Sequence, residues 1–384
     1  MPCKIKCLAV FSLVLVVAAL IAPPPVSAAI LTVTDLGDTG APGQLRTFIN
    51  LASSGDTIVI PPGTITLTGV PEEDANGSGD LDIHKDLTIQ GAGAGVTIID
   101  GGRIDRVLDI SCGCTVIISG LTLRNGNVSG FGGGVFNRLA NLTLTNVNIS
   151  SNVSGSSAGG IGNVGTANLT NVSISGNRTT INGGGIFNEG TMRLINSTIS
   201  SNVSGSAGGG IANVGTATLT NATISGNLAG SVASGGIANL GAATLTNVLL
   251  SGNMALFGGN CIGTMTSLGH NLDSGTTCGF AGPGDLSNTD PKLGPLQNNG
   301  GFTLTHALLP GSPAIDAGDN AGCPSTDQRG IIRPQGTACD IGAYEFVAGS
   351  VAQIPAVNQW GMIGLGMGLA AAFAWRLRCR SPRA

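Results

Sequence analysis

A repeat of about 25 residues runs through the middle of the chain, and it constrains the fold more than any other feature. Asparagine recurs in three separate columns, and each column advances by 25 or 26 residues at a time. Because three columns keep one period, the repeat marks a structural unit that is used again and again. The columns are Asn137, Asn163, Asn188, Asn213 and Asn239; Asn146, Asn171, Asn196, Asn221 and Asn247; and Asn127, Asn152, Asn177, Asn202, Asn227 and Asn253.

Each repeat has the pattern of short strands joined by bends. Residues 142–145 alternate apolar and polar side chains, Asn146 interrupts the alternation, and residues 147–150 resume it. Such alternation is typical of a strand with one buried face. Residues 133–137 supply a third short segment, and three strands with bends make one coil of a parallel β-helix. Coils of this kind stack at a strand spacing of about 4.8 Å.

Stacking of the coils gives the asparagines a structural role. We expect them at the bends, because asparagine tolerates a left-handed backbone, and we expect stacked amides to hydrogen-bond along the axis. The third column, from Asn127 to Asn253, is therefore predicted to form a structural ladder. Some of these residues, such as Asn152 and Asn171, also lie in Asn-x-Ser/Thr sequences, as does Asn148, so N-glycosylation is the alternative use.

Composition agrees with a repetitive β structure that has an aliphatic core. The chain has 63 glycines, 3% aromatic residues and 10% charged residues, so Ile, Leu, Val and Ala must fill the interior. A net charge of −4 gives no electrostatic attraction to nucleic acid. Less regular strand segments extend the coils towards the N-terminus. Within residues 44–52, Leu45, Phe48, Ile49 and Ala52 have helical spacing, which predicts a short capping helix over the open end.

Residues 1–28 have the organisation of a secretory signal peptide. Lys4 and Lys6 precede an apolar run over residues 8–22, and small residues up to Ala28 offer a cleavage site. The sequence therefore predicts export through Sec-type machinery. Seven cysteines follow the signal, and in an oxidising compartment Cys261–Cys278 and Cys323–Cys339 are plausible disulfides. For Cys112 and Cys114 a disulfide or two shielded thiols are favoured over a metal motif.

Two segments resemble parts of a known group of bacterial proteins. Residues 31–35, 43–46, 55–59 and 79–83 resemble the opening of right-handed parallel β-helix surface proteins. The segments 290–301, 311–318, 327–330 and 340–345 resemble the choice-of-anchor Q region that follows such helices. The resemblance implies a right-handed β-helix over residues 29–260, regular from about 120, and an irregular C-terminal cap over 261–347. It implies a secreted or surface role and supplies no catalytic residues.

Residues 348–384 resemble the IPTL-CTERM sorting signal of Gram-negative bacteria. A short motif precedes a 14-residue apolar run, residues 362–375, and a basic end; Ala356 and Val357 depart from the usual Thr-Leu. As a helix the run would span about 21 Å, less than the roughly 30 Å of a bilayer core. The resemblance implies processing by an exosortase-like enzyme at the inner membrane, after transient or terminal membrane association. The matching residues are Ile354, Pro355, Trp360, Gly361, Arg376, Arg378 and Arg380.

The regular coils lack the charged residues that catalysis on a β-helix requires. From Phe131 to Asn260 the only charged residues are Arg138, Arg178, Glu189 and Arg193, whereas polysaccharide lyases and hydrolases need clustered carboxylates. Both tryptophans lie in the tail, so an aromatic platform for sugars is not evident. The sequence therefore favours a protein that is not an enzyme, exported to the cell surface or beyond, with a role in adhesion or in envelope or matrix structure.

Two acidic regions outside those coils keep an alternative open. Glu72, Glu73, Asp74, Asp80 and Asp82 could bind Ca²⁺, although a solvated acidic loop is the simpler interpretation and no cofactor is otherwise expected. The C-terminal block contains His270, Asp316, Asp319, Asp327 and Asp340 beside Arg329 and Arg333. The alternative function is a polysaccharide-acting lyase or hydrolase with its site in that block. The sequence indicates no surface ligand.

Overall fold

The computed structural model describes residues 28–71, 76–231, 233–256 and 259–349. They form a right-handed parallel β-helix of about nine turns with roughly 25 residues per turn, so the predicted fold class is confirmed. Each regular coil carries four strand segments, one more than expected. We call the resulting stacks columns 1 to 4, in the order in which the chain passes through them within a coil. The strands of each column pair in parallel.

The strand bounds follow the repeat. Column 1 contains Ile30–Thr32, Thr57–Ile60, Leu87–Gly91, Thr115–Arg124, Asn141–Ser150, Thr166–Thr170, Thr191–Ile195, Thr216–Thr220, Ala242–Thr246 and Thr266–Ser267. Column 2 contains Gly63–Thr66, Thr97–Asp100, the second halves of Thr115–Arg124 and Asn141–Ser150, then Ser173–Ser175, Thr198–Ser200, Thr223–Ser225, Leu249–Ser251, Leu272–Asp273 and Leu286–Ser287.

The two remaining columns are made of shorter strands. Column 3 contains Asn127–Val128, Val153–Ser154, Arg178–Thr179, Val203–Ser204 and Leu228–Ala229. Column 4 contains Leu81–Ile83, Leu108–Ile110, Val135–Asn137, Ile161–Asn163, Ile186–Asn188, Ile211–Asn213, Ile237–Asn239 and Cys261–Ile262. A helix at Leu45–Leu51 and an antiparallel pair, Leu293–Gln297 with Thr305–Leu308, complete the elements of the described chain.

Apolar residues of successive coils stack in the interior as the repeat predicts. Leu144, Leu169, Leu194 and Leu219 are paired residue by residue in column 1, and all four are buried. The asparagines between columns 1 and 2 have positive φ, as expected for a bend: Asn146, Asn171, Asn196, Asn221 and Asn247 lie between 45° and 57°. The aliphatic core and the bends thus follow directly from the alternating pattern.

The asparagine ladder lies inside the turn between columns 2 and 3. The side-chain amide of Asn177 donates to Oδ1 of Asn202 at 2.9 Å, and Asn202 donates to Asn227 in the same way. Asn152 and Asn253 continue the series, and Asn260, which the repeat did not indicate, extends it by one more step. In a second ladder each side-chain amide donates a hydrogen bond of 2.7 Å to Oδ1 of the next asparagine. Its members are Asn137, Asn163, Asn188, Asn213 and Asn239.

Asn127 does not belong to the ladder, which corrects the sequence-based assignment. It is exposed and pairs with Val153 in column 3, one residue beyond the ladder position. Gly126 occupies that position, and its N–H donates to Oδ1 of Asn152 at 2.8 Å. A constant period of 25 residues selects Asn127 as the equivalent of Asn152, but the actual step, from Gly126 to Asn152, is 26 residues. Glycine has no side-chain amide, so the ladder begins at Asn152.

The C-terminal residues after about 293 lie along the flank of the coils, across columns 1 and 2, and not over the open end. Thr303 donates to the carbonyl oxygen of Asn171 at 3.0 Å, and Asn196 donates to that of Thr326 at 2.7 Å. Further along, Asn247 donates to the carbonyl oxygen of Asp319 at 3.2 Å. The bend asparagines therefore bind this block as well as shaping the coil.

Three disulfides join cysteines of the described chain: Cys112–Cys114, Cys261–Cys278 and Cys323–Cys339. The helix at Leu45–Leu51 packs at the N-terminal end of the solenoid with Leu45 and Ile49 buried. Within the described ranges, no helix has the length and apolar character needed to cross a membrane. The signal peptide, the sorting residues and Cys379 fall outside the described residues, and the proposed domain boundaries stay a prediction.

Candidate active site on the first coils

Two identical triplets in column 4 bring carboxylates together. Leu81–Ile83 and Leu108–Ile110 both read Leu-Asp-Ile, and they pair in register so that Asp82 lies beside Asp109. Alternation along each strand buries the leucine and isoleucine in the core and directs the aspartate outwards. Both aspartates are nevertheless buried by neighbouring loops. The next residue in this outward-facing row is Phe136.

A third carboxylate, Asp80, and two arginines complete the cluster. Oxygen atoms of Asp80, Asp82 and Asp109 all lie within 4.8 Å of one another. Arg106 forms a short ion pair with Asp109, and its Nε is 3.5 Å from Oδ2 of Asp80. Arg138 holds Asp109 with two nitrogens, with Nε at 3.0 Å from Oδ1 and Nη2 at 2.7 Å from Oδ2.

The cluster opens into a pocket of about 200 Å³ lined by Asp82, Asp109, Ser111 and Arg138. The side chain of Arg138 is 41% exposed, whereas the carboxylates behind it are buried. On the same side, Oγ of Ser111 lies 2.7 Å from Nδ1 of His84. The pocket therefore presents a guanidinium, a hydroxyl and carboxylate edges to solvent.

The cluster carries more negative than positive charge. The described residues contribute four carboxylates, of Asp80, Asp82, Asp105 and Asp109, against the guanidinium groups of Arg106 and Arg138. Burial raises the pKa of the Asp80 carboxyl to about 8, the three neighbouring carboxylates add to this rise, and Arg106 opposes it.

Asp80 fits the requirements of a cation ligand. It is 1% exposed, and neither of its carboxylate oxygens has a hydrogen-bond partner among the described residues. A buried carboxylate without such partners is costly. Carboxylate oxygens are the ligands that Ca²⁺ prefers. An ion of charge two would favour the ionised form of Asp80, against the rise of its pKa, and would balance the four carboxylates against the two guanidinium groups. Asp80, Asp82 and Asp109 are therefore the residues that could hold a divalent cation; Glu72, Glu73 and Asp74 lie outside the described residues.

The N-terminal helix supports this cluster from behind. Arg46 is buried and forms a bidentate ion pair with Asp38. It also donates to the carbonyl oxygen of Gly79 at 2.8 Å. Asn76 in the same loop donates its N–H to Oδ2 of Asp82 at 2.8 Å. The helix that covers the end of the solenoid thus fixes the loop from which Asp80 and Asp82 emerge.

An aromatic group adjoins the cluster, and the sequence analysis missed it. The ring of Phe131 stacks on that of Phe136 with centroids 5.9 Å apart and lies 6.0 Å from that of Phe187. The guanidinium of Arg138 lies over the Phe136 ring at 4.7 Å. The signal was present, because Phe136 and Phe187 occupy the same column-4 position as Asp82 and Asp109.

The carboxylates of the C-terminal block have mainly structural roles. Oδ1 of Asp340 accepts the N–H of Asp316 at 2.8 Å, and Oδ2 accepts that of Phe346. Burial raises the pKa of Asp340 to about 7. Arg333 forms a buried ion pair with Glu345 at 3.0 Å, and Nδ1 of His270 lies 2.7 Å from the carbonyl oxygen of Ala317.

The remaining acidic residues of the block also bind within it. Asp327 pairs with Arg329 at 2.7 Å, and Asp319 caps the turn at Ala321. A pocket of about 150 Å³ is lined in part by Asp316 and Asp340. Hydrogen bonds occupy both oxygens of Asp340, whereas neither oxygen of Asp80 has a hydrogen-bond partner among the described residues. The geometry therefore favours the first coils over this block as a site of chemistry.

No protein-family model matches the chain, and a search of curated proteins found no match. One solved structure is similar. It is the crystal structure of the pectate lyase Pel9A. The two chains share 14% sequence identity with a TM-score of 0.50, and the alignment covers 84% of this chain and 97% of the lyase. At this identity the similarity establishes the fold.

This similarity corrects the prediction that the chain is not an enzyme, because an enzyme has the same β-helix. The prediction rests on the scarcity of charge between Phe131 and Asn260, whereas the cluster lies mainly on the coils before Phe131. The alternative prediction places an enzyme site in the C-terminal block. Fold alone does not assign an activity.

Proposed function

We propose that the chain is an enzyme that acts on an acidic polysaccharide. Its site is the cluster of Asp80, Asp82, Asp109, Arg106 and Arg138. The observation that carries this proposal is the buried carboxylate of Asp80, which has no hydrogen-bond partner among the described residues and lies behind an open pocket. The similar solved structure is that of a pectate lyase, which supports a polysaccharide as substrate.

The electrostatics of the pocket favour an anionic sugar. Arg138 is the exposed cation at its rim, and a guanidinium binds a carboxylate through two parallel hydrogen bonds. The excess of carboxylates behind it would repel such a sugar if nothing balanced them. We therefore include a divalent cation, held by Asp80, Asp82 and Asp109, in the proposal. When bound, a cation supplies positive charge that binds the sugar carboxylate and makes the neighbouring C–H bond more acidic.

The convergence of the carboxylates favours elimination over hydrolysis. Glycoside hydrolases use two carboxyl groups that flank the scissile bond, one on each side. In this cluster three carboxylates converge, with one oxygen of each within 4.8 Å of the others, and two arginines hold Asp109. The three carboxylates are thus arranged around one point, which suits a cation better than a bond to be hydrolysed. Arg138 then orients the acidic sugar within the pocket.

Activity assays on the mature chain test this proposal. Polygalacturonate and a neutral glucan are incubated with the protein, with Ca²⁺ or with a chelator, and both unsaturated and reducing ends are measured. We expect unsaturated ends from polygalacturonate alone. Arg138→Ala and Asp109→Asn should each lower the rate at least about 100-fold, an effect of ~2.7 kcal/mol on the barrier. Arg193→Ala, an exposed arginine on column 1, is the matched control and should retain the wild-type rate.

Two results would contradict the proposal. One is the absence of cleavage of any acidic polysaccharide, and the other is wild-type activity in Arg138→Ala. Reducing ends without unsaturated ends would replace elimination by hydrolysis at the same site. Circular dichroism of each variant separates loss of activity from loss of fold.

We also propose that the enzyme works outside the cytoplasm. The signal-like residues 1–28 and the resemblance of residues 348–384 to a sorting signal support export and processing by an exosortase-like enzyme. The experiment is to fractionate producing cells and measure the intact mass of the protein. A product that begins at Ala29 and has lost the tail is expected. A product in the inner membrane that still ends at Ala384 would refute processing of the tail.

A further inference from the structure

Phe131 lies on the coil next to the pocket, and its side chain differs from those at the equivalent position of the following coils. It precedes Gly132, whose φ of 71° reverses the loop before column 4. In the following coils the residue before the equivalent positive-φ position is Ser157, Asn182 or Ala207. These residues are small or polar, whereas Phe131 is large and aromatic. The repeat itself therefore does not explain a phenylalanine here.

The surrounding residues hold the Phe131 ring in place. Gly132 allows the loop to fold back, since a Cβ there would meet the carbonyl oxygen of Val135 at 2.6 Å. The ring then packs against Phe136 and Phe187, which lie two coils apart in column 4. Gly162 separates these two phenylalanines, and a Cβ at that position would approach the Phe136 ring to 3.3 Å.

The outer side of the ring is open to solvent and close to charge. Phe131 is 37% exposed, although it has apolar partners on its inner side. Phe136 contacts both the Phe131 ring and the guanidinium of Arg138, which lines the pocket. Phe131 is thus one ring removed from the pocket, along the direction in which coils stack. The rise per coil, about 4.8 Å, is comparable to the length of one sugar unit in a polysaccharide.

We propose that the exposed face of Phe131 is a subsite that binds a sugar ring of an acidic polysaccharide whose next unit occupies the pocket. A sugar ring presents a face of C–H groups that packs on an aromatic ring, while its carboxylate and hydroxyls bind polar groups. Phe131 supplies the apolar surface, and Arg138 supplies the charge. The subsite rests on the proposed function, because it gives the substrate of that site a path along the solenoid.

Oligogalacturonides of defined length test the subsite. Binding of short and long oligomers is measured by calorimetry with Ca²⁺ present and at low temperature, so that cleavage is slow, and KM and kcat are measured separately. Phe131→Ala should weaken binding of long oligomers about tenfold, or ~1.4 kcal/mol. It should leave binding of the monosaccharide galacturonate, which only fills the pocket, unchanged. The expected kinetic effect is a higher KM for long chains with an unchanged kcat.

Three further variants separate stacking from packing. Phe131→Trp should retain or improve binding, whereas Phe131→Leu should weaken it as alanine does while keeping the apolar contact with Phe136. Phe302→Ala, which removes a phenylalanine that is 50% exposed from the C-terminal block, should have no effect. Equal binding of long oligomers by wild type, Phe131→Ala and Phe131→Leu would overturn the subsite and leave the proposed function intact. If the wild type binds no acidic oligomer, the proposed function fails first.

Discussion

Replacing Asn202 by alanine should show how much the asparagine ladder contributes to stability. Oδ1 of Asn202 accepts two hydrogen bonds from Asn177, from its backbone N–H at 3.0 Å and from its side-chain amide at 2.9 Å. The amide of Asn202 donates to Oδ1 of Asn227 and to the carbonyl oxygen of Ile174, both at 2.9 Å. All of these groups are buried, so water cannot replace the lost partner.

The expected loss follows from the groups that remain without partners. In Asn202→Ala the backbone N–H and one side-chain N–H of Asn177 lose their acceptor. A buried polar group left without a partner costs about 1–3 kcal/mol. The loss of the donor to Asn227 and Ile174 adds less to the cost, because Oδ1 of Asn227 still accepts a hydrogen bond from the backbone N–H of residue 202. We therefore expect the free energy of unfolding to fall by about 4 kcal/mol, a large part of the ~5–15 kcal/mol typical of a domain.

Equilibrium unfolding in urea, followed by circular dichroism, measures this loss. Asn168→Ala is the matched control, since it removes a side-chain bond of 3.3 Å at an exposed position. It should change stability by no more than about 0.5 kcal/mol. If Asn202→Ala loses no more than Asn168→Ala, then the ladder does not stabilise the fold and the argument from buried partners is wrong.

Two further predictions concern the charges of the C-terminal block. Burial raises the pKa of Asp340 to about 7 from 3.8, so the folded state binds this proton more tightly than the unfolded state. Its contribution to stability should fall as pH rises from about 4 to about 7, and Asp340→Asn should flatten that part of the urea-midpoint profile; an unchanged profile would contradict the assignment. Arg333→Met leaves Glu345 buried without its partner and should cost about 3–5 kcal/mol in thermal unfolding, and Glu345→Gln should recover part of this loss. The pair of Arg124, whose side chain is 38% exposed, and Asp100 is the control, and Arg124→Met should cost less than about 1 kcal/mol.

The coils could be predicted from the sequence because their physical constraints repeat. Alternation in residues 142–150 sets the burial of each strand, and a left-handed bend at Asn146 recurs with each coil. The error at Asn127 arose where the step between coils changed by one residue, which a fixed period does not register. The strands of column 3 were not predicted, because two-residue strands such as Val153–Ser154 are too short to show alternation.

The candidate site was harder to predict because it lies where the repeat is irregular. Asp80 and Asp82 were noticed as acidic residues, but their partner Asp109 is 27 residues further on and was not. The identical triplets Leu81–Ile83 and Leu108–Ile110 were the available signal, since equal triplets about one coil apart pair in register. The positions of Arg106 and Arg138 depend on loop paths, which local sequence does not specify.

The docking of the C-terminal block determines how the solenoid bears mechanical load. Its hydrogen bonds reach Asn171, Asn196, Asn221 and Asn247, so it fastens four successive coils to one another. A pull on the chain at Gly349 is therefore delivered to the side of the middle coils and not to the last coil. The hydrogen bonds from the block to several coils must break together before the coils can unfold one after another. Such an attachment resists force through many bonds in parallel, whereas a chain leaving from the end coil would resist it through a few.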